Sequence, residues 1–342
     1  MNLAFLVNDP QRIEADSTTA SLAAAALVMG HTVEIVGVRS LSLDDGDRVW
    51  GMSRRLSRRL RTGAQVSKAL PTLDPARLPL DELDSLAMRT SPGRDANATW
   101  AHETAMRWCG KLQERGVFVF NDPDGLRRAG GKDYLASLPA DTRPRMLISR
   151  DRDELVSFIE SCPTGAVLKP LSGTRGQGVF RIRRAKPDNM LQIIETVTEL
   201  GYAVAQPFVP EGKNGDTRVL VLDGRPLRVE GHTAAVWRTP GPKDFRSNVH
   251  AGGVAKPAVI RPKAARVLAK VAPLLARDGI FFAGIDLVGD QVVEVNVFAT
   301  GGIPDAERFC GVPFAPTVVE AIEARVAALQ APPLEDQPPL PH

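Results

Sequence analysis

The sequence predicts an α/β protein that continues into α+β units, and three observations predict it. Residues 3–7 (Leu-Ala-Phe-Leu-Val) and 32–38 are apolar runs of strand length on either side of an alanine-rich helical stretch. Strand, helix and strand in that order are what a Rossmann-like parallel sheet produces. Residues 281–296 are two apolar, β-branched runs joined by Gly289-Asp290, which reads as an antiparallel hairpin. The chain has 342 residues, 43% hydrophobic and 24% charged, an ordinary composition for two or three globular domains.

Composition also narrows the function. A net charge of +3 is too small to imply nucleic-acid binding by itself. The three cysteines, Cys109, Cys162 and Cys310, form no C-x-x-C pair. That argues against a disulfide scaffold or structural zinc and fits a reducing cytoplasm. No apolar run approaches the ~20 residues of a membrane span, and the N-terminus has no basic segment or cleavage site of a secretory signal. Neither a membrane nor a nucleic acid is expected as a partner.

The elements follow in order. Asn8-Asp9-Pro10 makes a turn after the first strand. Asp16-Ser17-Thr18-Thr19 caps a helix that runs to Met29 and is closed by Gly30. No G-x-G-x-x-G follows the first strand, which disfavours a dinucleotide site. Residues 54–61 carry five arginines without interleaved aromatic residues, so they read as a solvated face. Residues 71–84 read as irregular, and residues 85–89 as a strand. Open α/β sheets bind ligands at the carboxyl ends of their strands, so Arg89 and Arg94 are candidate substrate contacts. A helix over 97–115 and a strand over 117–120 complete the first unit, and a boundary is placed at 122.

Residues 123–206 are expected to form a second unit, with a short helix carrying Lys132, a strand over 145–149 and a helix over 151–160. A strand over 165–170 ends in Lys169-Pro170, directly before Ser172, Gly173, Gly176 and Gly178. A glycine-rich loop offers backbone N–H groups to phosphates, and a strand lysine beside it can reach them as a point charge. A helix over 187–200 and a strand over 202–209 follow. A third unit is expected over 207–329. Asp216-Thr217-Arg218 leads into a strand over 219–222, residues 225–237 extend the sheet, and 239–253 is a long polar loop with Arg246 and Asn248. A helix over 262–278 should be interrupted near Pro273, and a last helix spans 316–329. Residues 330–342 are proline-rich and expected to be a disordered tail.

The hairpin interrupts its apolar pattern with Asp286, Glu294 and Asn296. Glu294 and Asn296 are two apart and share a strand face. Asp286 joins them only if it stands opposite Glu294, which predicts an odd, three-residue loop over 289–291. Three hard oxygen donors of this kind suit Mg²⁺ held against substrate phosphates. With two lysines and two or three arginines, they suffice to hold ATP and stabilise a transferring phosphoryl group.

At this point the sequence resembles the ATP-grasp superfamily, and within it the prokaryotic glutathione synthetases. The matching stretches run in order through Asn8-Asp9-Pro10, Asp16-Ser17, Met88-Arg89, Lys132, Leu168-Lys169-Pro170, the glycine-rich loop and Gln206. They continue through Asp216-x-Arg218, Arg238-x-Pro240, Arg246-x-Asn248, Gly284-Ile285-Asp286 and Glu294-Val295-Asn296. The resemblance implies an ATP-grasp fold behind a Rossmann-like N-terminal domain, and an ATP-dependent ligase that joins a carboxylate to an amine through an acyl phosphate.

It further implies that Lys132 and Lys169 hold phosphates and adenine, that Gln206, Phe208 and Val209 line the adenine pocket, and that Asp216 meets the ribose. Asp286, Glu294 and Asn296 would hold two Mg²⁺, and Arg218 and Arg238 would stabilise the acyl phosphate. Asp16, Ser17, Arg89, Arg94, Arg246, Asn248, Thr300 and Gly301 would face the substrates, in a cytoplasmic homo-oligomer. The chain departs from the family after Asn296, where a Thr/Ser-Pro-Thr stretch is replaced by Val297-Phe298-Ala299-Thr300-Gly301-Gly302. It departs again at 90–95, where Thr90 and Arg94 alter the charge pattern. Two alternatives stay open: a ligase for a different acid and amine, and a non-catalytic ATP-binding protein.

Overall fold

The computed structural model describes residues 1–173, 177–183, 189–199, 201–241 and 253–331. The first sheet joins β1 (Asn2–Val7), β2 (Thr32–Leu43), β3 (Val49–Arg55), β4 (Ala76–Pro79), β5 (Ser85–Met88) and β6 (Phe118–Phe120) in the order β4-β3-β2-β1-β5-β6. β1 is parallel to β2 and β5, and β5 to β6. The predicted parallel sheet is therefore present. β3 and β4 add an antiparallel edge that the sequence reading treated as basic and irregular chain.

Strand periodicity sorts this sheet's side chains between two cores. Leu3, Phe5 and Val7 pack with helix α1 (Thr18–Val28) and the C-terminal helix, whereas Ala4 and Leu6 pack with α3 (Thr99–Glu114). The short α2 (Gly63–Ala69) precedes β4 and lies against α1. Arg55, in the basic run, pairs with buried Glu34 at 2.6 Å.

After α4 (Pro123–Ala129) and α5 (Tyr134–Ser137), the second sheet has the order β7-β10-β8-β9. It consists of β7 (Leu147–Ser149), β8 (Ala166–Pro170), β9 (Phe180–Ile182) and β10 (Ala203–Pro207), with α6 (Arg152–Glu160) and α7 (Met190–Glu199) on its apolar face. The third sheet runs β16-β15-β11-β17-β18. Its strands are β11 (Asp216–Leu222), β12 (Arg225–Pro226), β15 (Ala235–Thr239), β16 (Val254–Pro257), β17 (Phe282–Val288) and β18 (Gln291–Asn296), with β12 paired to β11. The hairpin of β13 (Arg228–Val229) and β14 (His232–Thr233) stands off this sheet.

α8 (Pro262–Arg277) covers one face of the third sheet, against Val219, Val221, Ala283, Ile285 and Leu287. It is continuous through Pro273, contrary to the expected break. Pro273 and Ala269, whose carbonyl loses its bond, are both on the exposed side, where water can take over. α9 (Ile303–Cys310) was not foreseen, and α10 (Ala315–Gln330) matches the expected last helix. Both pack with α1, so the chain's two ends share one core.

The expected odd hairpin loop is not what forms. Val288 pairs with Gln291, leaving a two-residue turn at Gly289-Asp290. The register shifts at the next step: Leu287 faces Val292, but Asp286 faces Glu294, so Val293 is an extra, bulged residue. The predicted facing of the two carboxylates is present, produced by a bulge instead of the loop. The apolar face confirms the shift, since Val292 and Val295, three residues apart, both pack towards α8.

Candidate active site

One cleft of about 1420 Å³ runs from the β8–β10 sheet, across the third sheet, to the carboxyl ends of β1 and β5. Single small-molecule sites occupy ~300–1,000 Å³, so there is room for more than one ligand. Of the expected site residues, Gly176, Arg246 and Asn248 lie outside the described residues. All the others except Gly178 line this cleft.

The floor is made by strand alternation. On β11 the side chains of Asp216, Arg218 and Leu220 share a face, and on β17 those of Phe282 and Asp286, with Gly284 bare between them. The face is apolar at Phe282, packed in the core, and charged two steps later. Register then sets the neighbours: Arg218 stands opposite Asp286, Asp286 opposite Glu294, and Asp216 opposite Arg238. Arg218 grips Asp286 with two bonds of 2.8 Å, from Nε to Oδ1 and from Nη2 to Oδ2. Arg238 reaches Asp286 Oδ2 at 2.8 Å and donates from Nε to Asp216 Oδ1 at 2.7 Å. Asn296 donates its amide to Asp286 Oδ2 at 3.0 Å. Burial pushes the Asp286 carboxyl up, but Arg218 and Arg238 outweigh it and hold the group below the usual carboxylate range.

Glu294 accepts no hydrogen bond among the described residues, and Asn296 keeps its carbonyl free. With Asp286, once a guanidinium is displaced, these are the hard oxygen donors that magnesium takes. Among the described residues no group of three or more His, Cys, Asp and Glu could hold a metal by itself. A cation here would therefore share its shell with ligand oxygens, as magnesium commonly does with phosphates.

Above the floor, Lys169 on β8 is 8% exposed and donates to the carbonyl of the bulged Val293 at 3.2 Å. Burial pulls its ammonium down to about 8, against the opposing pull of Glu294. Lys132 donates to the carbonyls of Leu171 and Gly173 at 3.2 and 3.0 Å, tying it to the glycine-rich loop. Burial lowers its pKa too, with Glu294 opposing. Gln206 is buried, and its Nε2 has no partner among the described residues. Next to it, the Phe208 backbone is fixed by bonds to Gly165 and Thr164, at 2.9 and 2.6 Å, and Arg181 stacks 3.5 Å over its ring. Nothing in the sequence signalled that stack.

The far end belongs to Arg89, which is 7% exposed. It donates from Nε to Thr19 Oγ1 at 3.2 Å and from Nη2 to the Thr300 carbonyl at 2.7 Å. Among the described residues no carboxylate pairs with it, and burial, then Arg94, pulls its pKa down to about 9. Two helix N-termini close on the same place. Ser17 caps α1 through a bond from Ala20 N at 3.2 Å, and Thr18 Oγ1 accepts from Ile303 N, the first residue of α9, at 3.3 Å. The sequence reading singled out Asp16 and Ser17. Contacts to Arg89 and to the start of α9 come from Thr19 and Thr18, the first two residues of α1, in the same Asp-Ser-Thr-Thr run. Thr300 is 2% exposed, and its hydroxyl has no partner among the described residues.

Comparison with known proteins agrees with this geometry. Residues 1–127 match the family model for the prokaryotic glutathione synthetase N-terminal domain, and residues 132–311 the model for its ATP-grasp domain. A glutathione synthetase from Synechococcus elongatus is 32% identical, over 95% of this chain and 99% of its own length. One from Escherichia coli O127:H6 is 31% identical, over 92% and 94%. Among solved structures, the D-cycloserine synthetase DcsG superposes with a TM-score of 0.63 at 18% identity, covering 95% of this chain and 100% of its own. The macrocyclase MdnC of Microcystis aeruginosa, bound to a precursor peptide, gives 0.60 at 14%, covering 94% and 99%. At those identities the two structures speak for the ATP-grasp fold alone.

Proposed function

The chain belongs to the prokaryotic glutathione synthetase family, and from that premise we propose how its residues divide the work of ligation. It is an ATP-dependent carbon–nitrogen ligase, most like glutathione synthetase, with ATP and magnesium as the family's requirements. The proposed acid is γ-glutamylcysteine and the proposed amine an amino acid, glycine in the relatives' product.

In this reading a substrate carboxylate oxygen attacks the γ-phosphorus of ATP, the bond to the β-phosphate oxygen breaks, and ADP leaves. The amine nitrogen then attacks the acyl carbon, phosphate departs with the carbon–oxygen bonding pair, and the amine gives up a proton. Two magnesium ions, when bound, would neutralise phosphate charge. Glu294, Asn296 and Asp286 would hold them. Lys169 and Lys132 would bind phosphates, with Ser172 and Gly173 beside them, while Gln206, Phe208 and Val209 seat the adenine and Asp216 the ribose. Arg218 and Arg238, released from Asp286 as cations arrive, would meet the charge that develops on the acyl phosphate. Arg89, Ser17, Asp16, Thr300, Gly301 and Arg94 would face the acid and amine.

The observation that carries this reading is Arg89: a buried cation paired, among the described residues, only with neutral oxygens, at the end of the cleft that also holds the lysines and Glu294. An anion there would supply the missing charge. A second reading, a different acid and amine pair, is favoured by the cleft's continuation past Arg89 to Arg39 and Arg54. ADP release from Mg-ATP with γ-glutamylcysteine, with and without glycine, and mass spectrometry of the products, separates them. Glycine-dependent release of ADP with glutathione formed supports the first; turnover only with other pairs supports the second. Glu294→Ala should lower turnover on the order of 10²–10³-fold while weaker nucleotide binding persists; unchanged turnover would overturn the metal assignment. The three thiols are free, and with the family they support a cytoplasmic homo-oligomer, which light scattering on the purified protein can test for the second part.

A further inference from the structure

β17 and β18 separate at one point, and a side chain from the first sheet fills the fork. Their last paired residues are Gly284 and Asn296. Carried on, the ladder would set Phe282 against residue 298. Asn121, the residue after β6, takes that place with its side-chain amide. Its Oδ1 accepts from Phe282 N at 2.7 Å, and its Nδ2 donates to the carbonyls of Phe282 and Val297, each at 2.8 Å. The partners are one N–H and two carbonyls, so only one orientation of the amide satisfies all three. Asn121 is 4% exposed, and without it these backbone groups would be left buried and unpaired.

Two site residues flank the clamp along the chain. Val297 directly follows Asn296, whose amide donates to Asp286 Oδ2 at 3.0 Å. Three residues later the Thr300 carbonyl accepts from Arg89 Nη2 at 2.7 Å. Between these two held carbonyls stands Ala299 with φ +36°. Left-handed backbone is uncommon for a residue with a side chain and persists only where its surroundings over-determine it. Asn121 on one side and Arg89 on the other supply that constraint. Joining the two sheets does not by itself require Asn121. Asp122 N donates to the Gly279 carbonyl at 3.0 Å, and the rings of Phe118, Phe120 and Phe281 meet at centroid distances of 5.2 to 5.6 Å. What Asn121 adds to that junction is the hold on Val297.

We propose that Asn121 is a positioning residue for the metal end of the cleft. By closing the fork it holds Asn296 towards Asp286, and it fixes where the following stretch presents Thr300 to Arg89. The magnesium part of this role rests on the ligase reading above.

The test reads ion binding apart from turnover. Manganese stands in for magnesium, and the resonance of the free ion reports its binding to the full chain saturated with a non-hydrolysable ATP analogue. Asn121→Ala should weaken that binding by on the order of 10-fold, as when the support of a metal ligand is removed. Binding of ADP without metal, which engages Gln206 and Phe208, should keep its wild-type affinity. The melting temperature shows whether the variant folds; if it does not, Asn121→Ser, which keeps a donor and an acceptor, decides. A folded variant with wild-type ion affinity overturns the role, and so does an equal loss of ion and metal-free ADP. Glu294→Ala and turnover separate this role from the ligase reading. Ion binding that Glu294→Ala abolishes and Asn121→Ala keeps leaves the metal assignment standing and the role fallen. Ion binding that needs Asn121, with no ADP released for any acid and amine, leaves the role standing and the ligase reading fallen. A wild type that binds no ion overturns both.

Discussion

Arg89 and Asp286 are both buried charges on the wall of one cleft, and their surroundings treat them in opposite ways. Asp286 is 1% exposed and holds two guanidiniums and an amide. Arg89 is 7% exposed and holds one hydroxyl and one carbonyl. The first has its countercharge inside the protein; the second lacks one among the described residues. On the proposed function, the difference separates a part that waits for a ligand from a part that must be opened by one. A substrate anion at Arg89 completes a charge pair. A cation at Asp286 competes with pairs already formed, and whatever it displaces becomes available to the reacting groups.

Breaking the two ends should give opposite signatures. Asp286→Asn leaves half-buried Arg218 and buried Arg238 with half their countercharge gone, and should cost about 3–5 kcal/mol of stability, read by denaturant unfolding. Arg89→Met removes a cation that pairs with no carboxylate among the described residues. Its melting temperature should stay level or rise, while KM for the anionic substrate rises by on the order of 10²-fold. If both variants lose stability alike, the contrast between the two ends is wrong.

The lysine between them sharpens the picture through pH. Lys169 titrates at about 8, against 10.5 when unburied. Below 8 it is charged and ready for phosphate. As pH rises through 8 the free enzyme loses that charge, and binding must restore it, so nucleotide affinity should fall by up to ~10-fold per pH unit. Lys169→Arg should flatten the profile. Stability should move the other way: between about 8 and 10.5 the unfolded chain binds the proton and the native one does not, so the burial penalty eases with rising pH. The smallest effect is expected at the Arg89 end, where Ser17→Ala removes the cap of α1 and should cost about 1 kcal/mol, measurable as a few degrees in melting temperature.

The sequence made much of this legible where chemistry interrupts a strong pattern. Asp286, Glu294 and Asn296 stand out because carboxylates and amides are costly in apolar strands. Lys169 stands out by ending a buried strand, and Ser17 because caps have few alternatives. What escaped was set by partners far along the chain. β3 and β4 carry Arg54, Arg55, Arg77 and Pro79, and only the pairing of β3 with β2, and of β4 with β3, makes them strands. α9 is eight residues long and begins with Ile303-Pro304 after two glycines, a weak local signal that packing with α1 completes. The Arg218–Asp286 grip depends on a register between β11 and β17 across 68 residues, which no spacing reveals. The expectation of an odd loop shows the same limit. The facing of two side chains constrains the count of residues between them, not where the odd one goes.

That odd residue has a consequence for how the site could be taken apart. Val293 moves Glu294 and Asn296 onto the cleft face, and its own carbonyl receives Lys169. One inserted residue thus does two jobs, and no side-chain substitution separates them, because neither job uses the valine side chain. Deleting Val293 would. Glu294 would then follow Val292 directly and still fall opposite Asp286 in an unbulged ladder, while Lys169 would lose its acceptor. The site is written partly as a length, and shortening the chain by one is the edit that reads it.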